Sequence, residues 1–177
     1  MKKFKIILLS LLALVIVLGG YFIYALYVNP KSPYGNSIYN TQNNTIEVDY
    51  YRPYKKNRLI FGEKADGALV PYGEYWRLGA NFTTTLSTKE SISLAGRQIE
   101  PGTYGMYTYP YAENWVLVLH EKASGLSAAE PDPSGILMKI NVPVQTLDSP
   151  VEQLTIDFVD NLLRIRWETT QVVLSID

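Results

Sequence analysis

The sequence predicts an all-β protein: an antiparallel β-sandwich or barrel-like domain preceded by one N-terminal transmembrane helix. Three observations carry this prediction. A single long uncharged run opens the chain. Apolar and polar residues then alternate with period two in several short stretches divided by turn residues, the pattern of half-buried strands. No later segment keeps a helical period. Of the 177 residues, 47% are hydrophobic and 19% charged, which fits one folded domain and argues against a disordered chain.

The helix comes first. Lys2, Lys3 and Lys5 precede the 23 uncharged residues from Ile6 to Val28. At about 1.5 Å per residue that run spans about 35 Å, enough for a bilayer core. The lysines favour a cytoplasmic N-terminus, and Tyr21, Tyr24 and Tyr27 suit an interfacial aromatic belt. Asn29-Pro30 ends the helix, because the residue before proline avoids the helical region. A cleaved secretory signal is the competing reading, with Gly19-Gly20 as the nearest small-residue site. Leu18 fits that site poorly, so an uncleaved anchor over 1–28 is the expectation. Residues 29–44, rich in Ser, Pro, Gly and Asn, read as a linker, and 45–177 as the β-rich domain.

The strands follow in order. In Thr45 to Tyr51, Ile46, Val48 and Tyr50 alternate with polar residues until Pro53. Leu86 to Leu94 holds a strand pair or one long strand, and Ala95-Gly96 turns into Arg97-Gln98-Ile99. Pro101-Gly102 reads as a type II turn before a tyrosine-rich strand from Thr103 to Tyr109. Trp115 to His120 reads as a strand buried on both faces. The stretch from Glu121 to Gly135 is long for a loop, so it is either functional or disordered. Ile136 to Val142 resumes the strand pattern. Leu154, Ile156 and Phe158, the turn Asp160-Asn161, and Leu163, Ile165 and Trp167 form a hairpin signature. Gln171 to Ile176 adds a last strand.

Charge and composition exclude several functions. The net charge is -1, which is wrong for a basic nucleic-acid binder, so no nucleic-acid partner is expected. With Lys2, Lys3 and Lys5 set aside, 13 basic groups face 17 acidic ones, a mildly acidic surface. There is no cysteine, so disulfides, thiol nucleophiles and zinc ribbons are excluded. The single histidine, His120, excludes a multi-histidine metal site. No glycine loop for phosphate and no calcium loop is present, and no cofactor is expected.

The densest run of chemistry-bearing residues lies between Tyr50 and Asn81. Arginine offers a rigid fork for carboxylate or phosphate, and Trp and Tyr offer flat faces for a sugar ring or peptide. Arg52, Trp76, Arg77 and Asn81 are therefore the candidate binding residues. The alternative is that Arg77 pairs internally and Trp76 is core. Lys55, Lys56 and Arg58 read as a solvated turn. His120 lacks a GxSxG partner motif and reads as structural or surface. Glu47, Asp49, Glu74 and Glu90 offer carboxylates for glycosidase work if two face each other, a placement the sequence does not decide.

Taken together, Tyr51-Arg52-Pro53, Val70-Pro71-Tyr72-Gly73 and Trp76-Arg77-Leu78-Gly79-Ala80-Asn81 form one pattern with Gly96 through Gly102-Thr103-Tyr104 and the Trp115 strand. That pattern resembles the bacterial domain-of-unknown-function 2911 family over about residues 45–177. This chain departs from the family where Phe82 replaces an acidic residue. It departs again where a Ser-Ala-Pro loop after His120 replaces a Trp-Gly element. The resemblance implies a β-rich bacterial protein outside the cytoplasm, and no reaction. The resulting expectation is a single-pass membrane protein whose outer β domain binds a small molecule, a glycan or a protein. A scaffold using the surface of Tyr104, Tyr107 and Tyr109, or a hydrolase of envelope sugars or peptides, are the alternatives.

Overall fold

A computed structural model describes residues 2–177, Lys2 by its backbone alone. The chain divides into an N-terminal unit ending at Pro33 and a β domain over Tyr34–Asp177.

The N-terminal unit is helix α1, Lys2–Ile23, continued by a π-helical turn over Tyr24–Val28. Lys3–Val28 is long and apolar enough to cross a membrane, a test that an anchor and a signal sequence both pass. The backbone N–H of Asn29 donates to the Tyr24 carbonyl at 3.0 Å, and the helix stops there, one residue before Pro30.

The β domain is built on one seven-stranded sheet. Its strands are β1 (Tyr34–Asn40), β2 (Thr45–Tyr51), β5 (Thr84–Thr88), β8 (Gly102–Pro110), β9 (Asn114–His120), β10 (Ile136–Val159) and β11 (Leu162–Ser175), hydrogen-bonded in that order. Every neighbouring pair is antiparallel. Two small pairs complete the domain: β3 (Phe61–Gly62) with β4 (Val70–Pro71), and β6 (Ile92–Leu94) with β7 (Arg97–Ile99). The expected all-β antiparallel domain behind one apolar helix is the observed architecture, with the sheet curled into a half-barrel.

The curl follows from β10. Its 24 residues would extend about 80 Å if straight, at about 3.3 Å each, far more than a small domain spans. Register shifts between Thr146 and Val151 and between Val151 and Thr155 mark where it bends. The first half of β10 pairs with β9, and the second half pairs with β11 and returns to β1 and β2. There the buried Tyr50 hydroxyl donates to the Ile156 carbonyl at 3.0 Å and accepts from its N–H at 2.9 Å. The Ser37 hydroxyl reaches the same carbonyl.

The concave face holds the core. All three tryptophans meet there: Trp76 and Trp167 stack at 5.8 Å, and Trp76 meets Trp115 edge-on at 5.5 Å. Phe61 packs against each of them. Such T-shaped and offset contacts suit the aromatic quadrupole, and removing one such ring to alanine costs about 3–5 kcal/mol.

Three local expectations change. The stretch expected to be wholly linker contains β1, an edge strand whose burial alternates only between exposed and half-buried. Gly102 does not take positive φ, so Pro101-Gly102 is not a type II turn; Gly102 opens β8 and pairs with Thr88. Ile136 to Phe158, expected as two strands, is one bent strand, because Pro143 and Pro150 fall in the stretch where β10 changes partners.

Candidate functional site

Strand alternation places Gly105, Tyr107 and Tyr109 of β8 and Val118 and His120 of β9 on the convex face, opposite the tryptophan core. Two segments cover this face. The first is Tyr75 to Asn81. Strand β5 pairs with β8 only over Gly102 to Met106, and beyond it Trp76 takes up the open edge. Trp76 exchanges both backbone hydrogen bonds with Thr108, at 2.8 and 2.9 Å. Its indole turns inward, so Tyr75 and Arg77 turn to the convex face.

A sharp turn then follows. Leu78 and Asn81 adopt positive φ of 54° and 60°, and Gly79 lies at 152°. A Cβ on Gly79 would sit 2.8 Å from the Tyr51 carbonyl, so only glycine fits. The Thr84 hydroxyl donates to the Leu78 carbonyl at 2.9 Å and holds the turn.

The second covering segment is the chain from Glu121 to Gly135, which is ordered. His120 organises it. Its Nδ1 accepts from the Lys122 N–H at 2.8 Å, which requires the proton on Nε2, and Nε2 then donates to the Asp132 carbonyl at 2.8 Å. The ring is 3% exposed and both nitrogens are occupied, so this histidine is a structural staple. Further pins are the Ser127 N–H to the Asn81 carbonyl at 3.2 Å and the Thr83 N–H to the Gly125 carbonyl at 3.0 Å. The Tyr109 hydroxyl donates to the Glu130 carboxylate. Gly105 permits the contact: a Cβ there would lie 2.1 Å from the Lys122 carbonyl oxygen.

Between the covering segments and the sheet lies a cleft. It is a small hollow of about 20 Å³, the room of about one water. Tyr75, Tyr107, His120, Lys122 and Ser127 are among its walls. The Tyr75 and Tyr107 rings meet at 5.2 Å, and Tyr107 meets Tyr109 at 5.8 Å. Two buried hydroxyls in this wall have no hydrogen-bond partner in the protein: Tyr107, 3% exposed, and Ser127, 8% exposed. The Tyr109 hydroxyl is near enough to influence that of Tyr107, but not in bonding geometry.

Burial pushes the Tyr75, Tyr107 and Tyr109 phenols up, so all three remain neutral donors at neutral pH. The Arg77 charge acts on Tyr75 in the opposite direction. Arg77 and Lys122 are in no ion pair among the described residues.

The four residues singled out in the sequence separate. Arg77 is half-buried and is not among the residues that line the cleft, and the Asn81 backbone anchors one wall. Trp76 is 7% exposed and belongs to the core, so its ring offers no face to a ligand. Arg52 closes the half-barrel: its Nε and Nη2 donate to the Leu154 carbonyl and the Thr155 hydroxyl, each at 3.3 Å. The sequence reading missed Ser127 and took Tyr107 only as part of a tyrosine-rich surface.

Of the carboxylates, Glu47 and Asp49 share the Asn36 side-chain amide on the β1–β2 surface, and Glu74 pairs with Lys64 at 2.8 Å. Glu90 faces a separate hollow of about 350 Å³. Among the described residues no group of three or more His, Asp or Glu side chains is placed to hold a metal ion.

A family model described as a protein of unknown function, DUF2911, matches residues 32–176. The chain belongs to the DUF2911 family. The expected resemblance therefore holds, and the match begins before β1, in the stretch expected to be linker. No curated protein and no solved structure matches the chain.

Proposed function

We propose that this DUF2911 protein is a ligand-binding domain tethered to a bacterial membrane, and that its ligand enters the convex-face cleft. The observation that carries this reading is the pair of buried, unpartnered hydroxyls, Tyr107 and Ser127, facing a cleft that opens to solvent. Leaving such a group unsatisfied costs about 1–3 kcal/mol, a cost that folding alone gives no reason to keep. A ligand that bonds them recovers it. Lys122 supplies charge in the wall, while Asn81 holds the segment that carries Ser127. The apolar helix is the tether, and the lysines before it support a cytoplasmic N-terminus with the β domain outside.

The test is Tyr107→Phe in the full chain. In the ligand-free protein the variant keeps or raises stability, by about 1 kcal/mol or about 3 °C in Tm. A fall in Tm of that size means the hydroxyl is a structural partner and contradicts the reading.

A further inference from the structure

A second hollow shares no lining residue with the convex-face cleft. It has about 350 Å³ of room, within the range of about 300–1,000 Å³ typical of small-molecule pockets. Its floor is apolar. Ile46, Ile92 and Ile176 are buried core residues, and the half-buried Tyr39 ring stacks on Phe158 at 5.6 Å. Its rim carries two exposed carboxylates, Glu90 and Asp177, and no Lys, Arg or His side chain lines it.

The two acidic residues are held from separate walls. The Asn44 side chain accepts from the N–H groups of Lys89 and Glu90 at 3.1 and 3.2 Å and donates to the Thr88 hydroxyl at 2.9 Å. On the other wall, Asp177 exchanges backbone hydrogen bonds with Ser93 at 2.7 and 3.0 Å. Its Oδ1 accepts from the Asn161 amide at 3.1 Å. Neither carboxylate is in an ion pair among the described residues. Charges on the adjoining segments do not offset them. Lys89 and Arg97 are balanced by Glu100 and Asp160, and Glu47 turns to the opposite face of β2, where it bonds Asn36. The excess at the hollow is therefore negative. A cation with an apolar body satisfies both parts: its charge meets the rim and its carbon chain covers the floor. Rim backbone and floor are fixed in advance, so little ordering opposes binding.

We propose that this hollow binds a small organic cation, an alkylamine whose ammonium lies at Glu90 and Asp177 and whose chain rests on Ile92, Ile176 and Tyr39. The site stands independently of the convex-face cleft.

The experiment is an NMR titration of the full chain in micelles of an uncharged detergent, at constant ionic strength. The probes are n-butylammonium, ammonium, n-butanol, butyrate and Nα-acetyllysine amide. Butylammonium is expected to saturate in the millimolar range and to shift the amides of residues 41–46, 90–92 and 176–177 along one curve. Glu90→Gln, at an exposed carboxylate, weakens it about two- to fivefold, and Glu90→Gln with Asp177→Asn weakens it further. Butanol or butyrate binding as tightly as butylammonium overturns the role of the rim charge. Ammonium binding as tightly overturns the role of the floor. Tighter binding of Nα-acetyllysine amide overturns the free amine and assigns the hollow to a partner's lysine. Butylammonium bound equally by wild type and double variant overturns the site, as does no saturation at these amides.

Discussion

Glu168 offers a sharp test of how the half-barrel is held shut. It sits on β11 opposite the bend of β10, paired with Val151, in a backbone conformation with φ of 57° that few non-glycine residues adopt. Its carboxylate accepts from the Lys55 ammonium at 2.7 Å and from the N–H and hydroxyl of Thr169. Burial pushes this carboxyl up, but the Lys55 and Thr169 hydrogen bonds outweigh it and hold the pKa down at about 2, against an ordinary 4.5. At about 1.4 kcal/mol per pH unit, that difference bounds the contribution at about 3 kcal/mol. A quarter of each side chain is exposed, and solvent screening brings the net effect to about 1–2 kcal/mol. A depressed carboxylate stabilises fully above its unfolded value and loses that contribution as pH falls through its folded value. Glu168→Gln therefore lowers stability by about 1–2 kcal/mol at pH 7. The gap between variant and wild type closes as pH falls from about 4.5 to about 2. Denaturant unfolding of both proteins across that range measures it. Two parallel pH profiles would refute the reasoning, because the charge of Glu168 would then contribute nothing.

Other outcomes follow from the same geometry. Arg52→Met removes the two side-chain bonds to β10 and lowers stability by about 1–2 kcal/mol, measured by urea unfolding. Gly105→Ala drives a methyl into the Lys122 carbonyl, costing about 1–3 kcal/mol. Faster amide exchange over residues 121–135 reports the lifted loop. The chain has no cysteine, so Ser149→Cys gives a clean topology probe. In intact bacteria an impermeant maleimide labels it, and labelling only after lysis would contradict an outer β domain.

How much of this was legible in the sequence depended on which face a residue serves. Strands β2 and β11 bury one face against a strongly apolar core, so Ile46, Val48 and Ile165 announce them through period-two alternation, whereas β9 shows itself as an unbroken apolar run from Trp115 to Leu119. Strand β1 buries little, and its Asn, Ser and Gly residues look like linker sequence. The convergence of Trp76, Trp115 and Trp167 was not legible, since it depends on strand order rather than local pattern. Within the dense motif, the alternation of Tyr75, Trp76 and Arg77 held the answer. Neighbouring residues point to opposite faces, so Trp76 and Arg77 could not both touch one ligand. Ser127 carried no signal, because a serine in a Ser-Ala-Pro loop is unexceptional until the fold buries it.

The most direct test of the cleft is chemical-shift mapping of the full chain in micelles, titrated in turn with acetate, inorganic phosphate and glucose. The binding reading predicts that one of these probes perturbs Tyr75, Tyr107, Lys122 and Ser127 together, saturating along one binding curve. Perturbations centred instead on the polar groove of Lys55 and Arg58, or scattered without saturation, would contradict it.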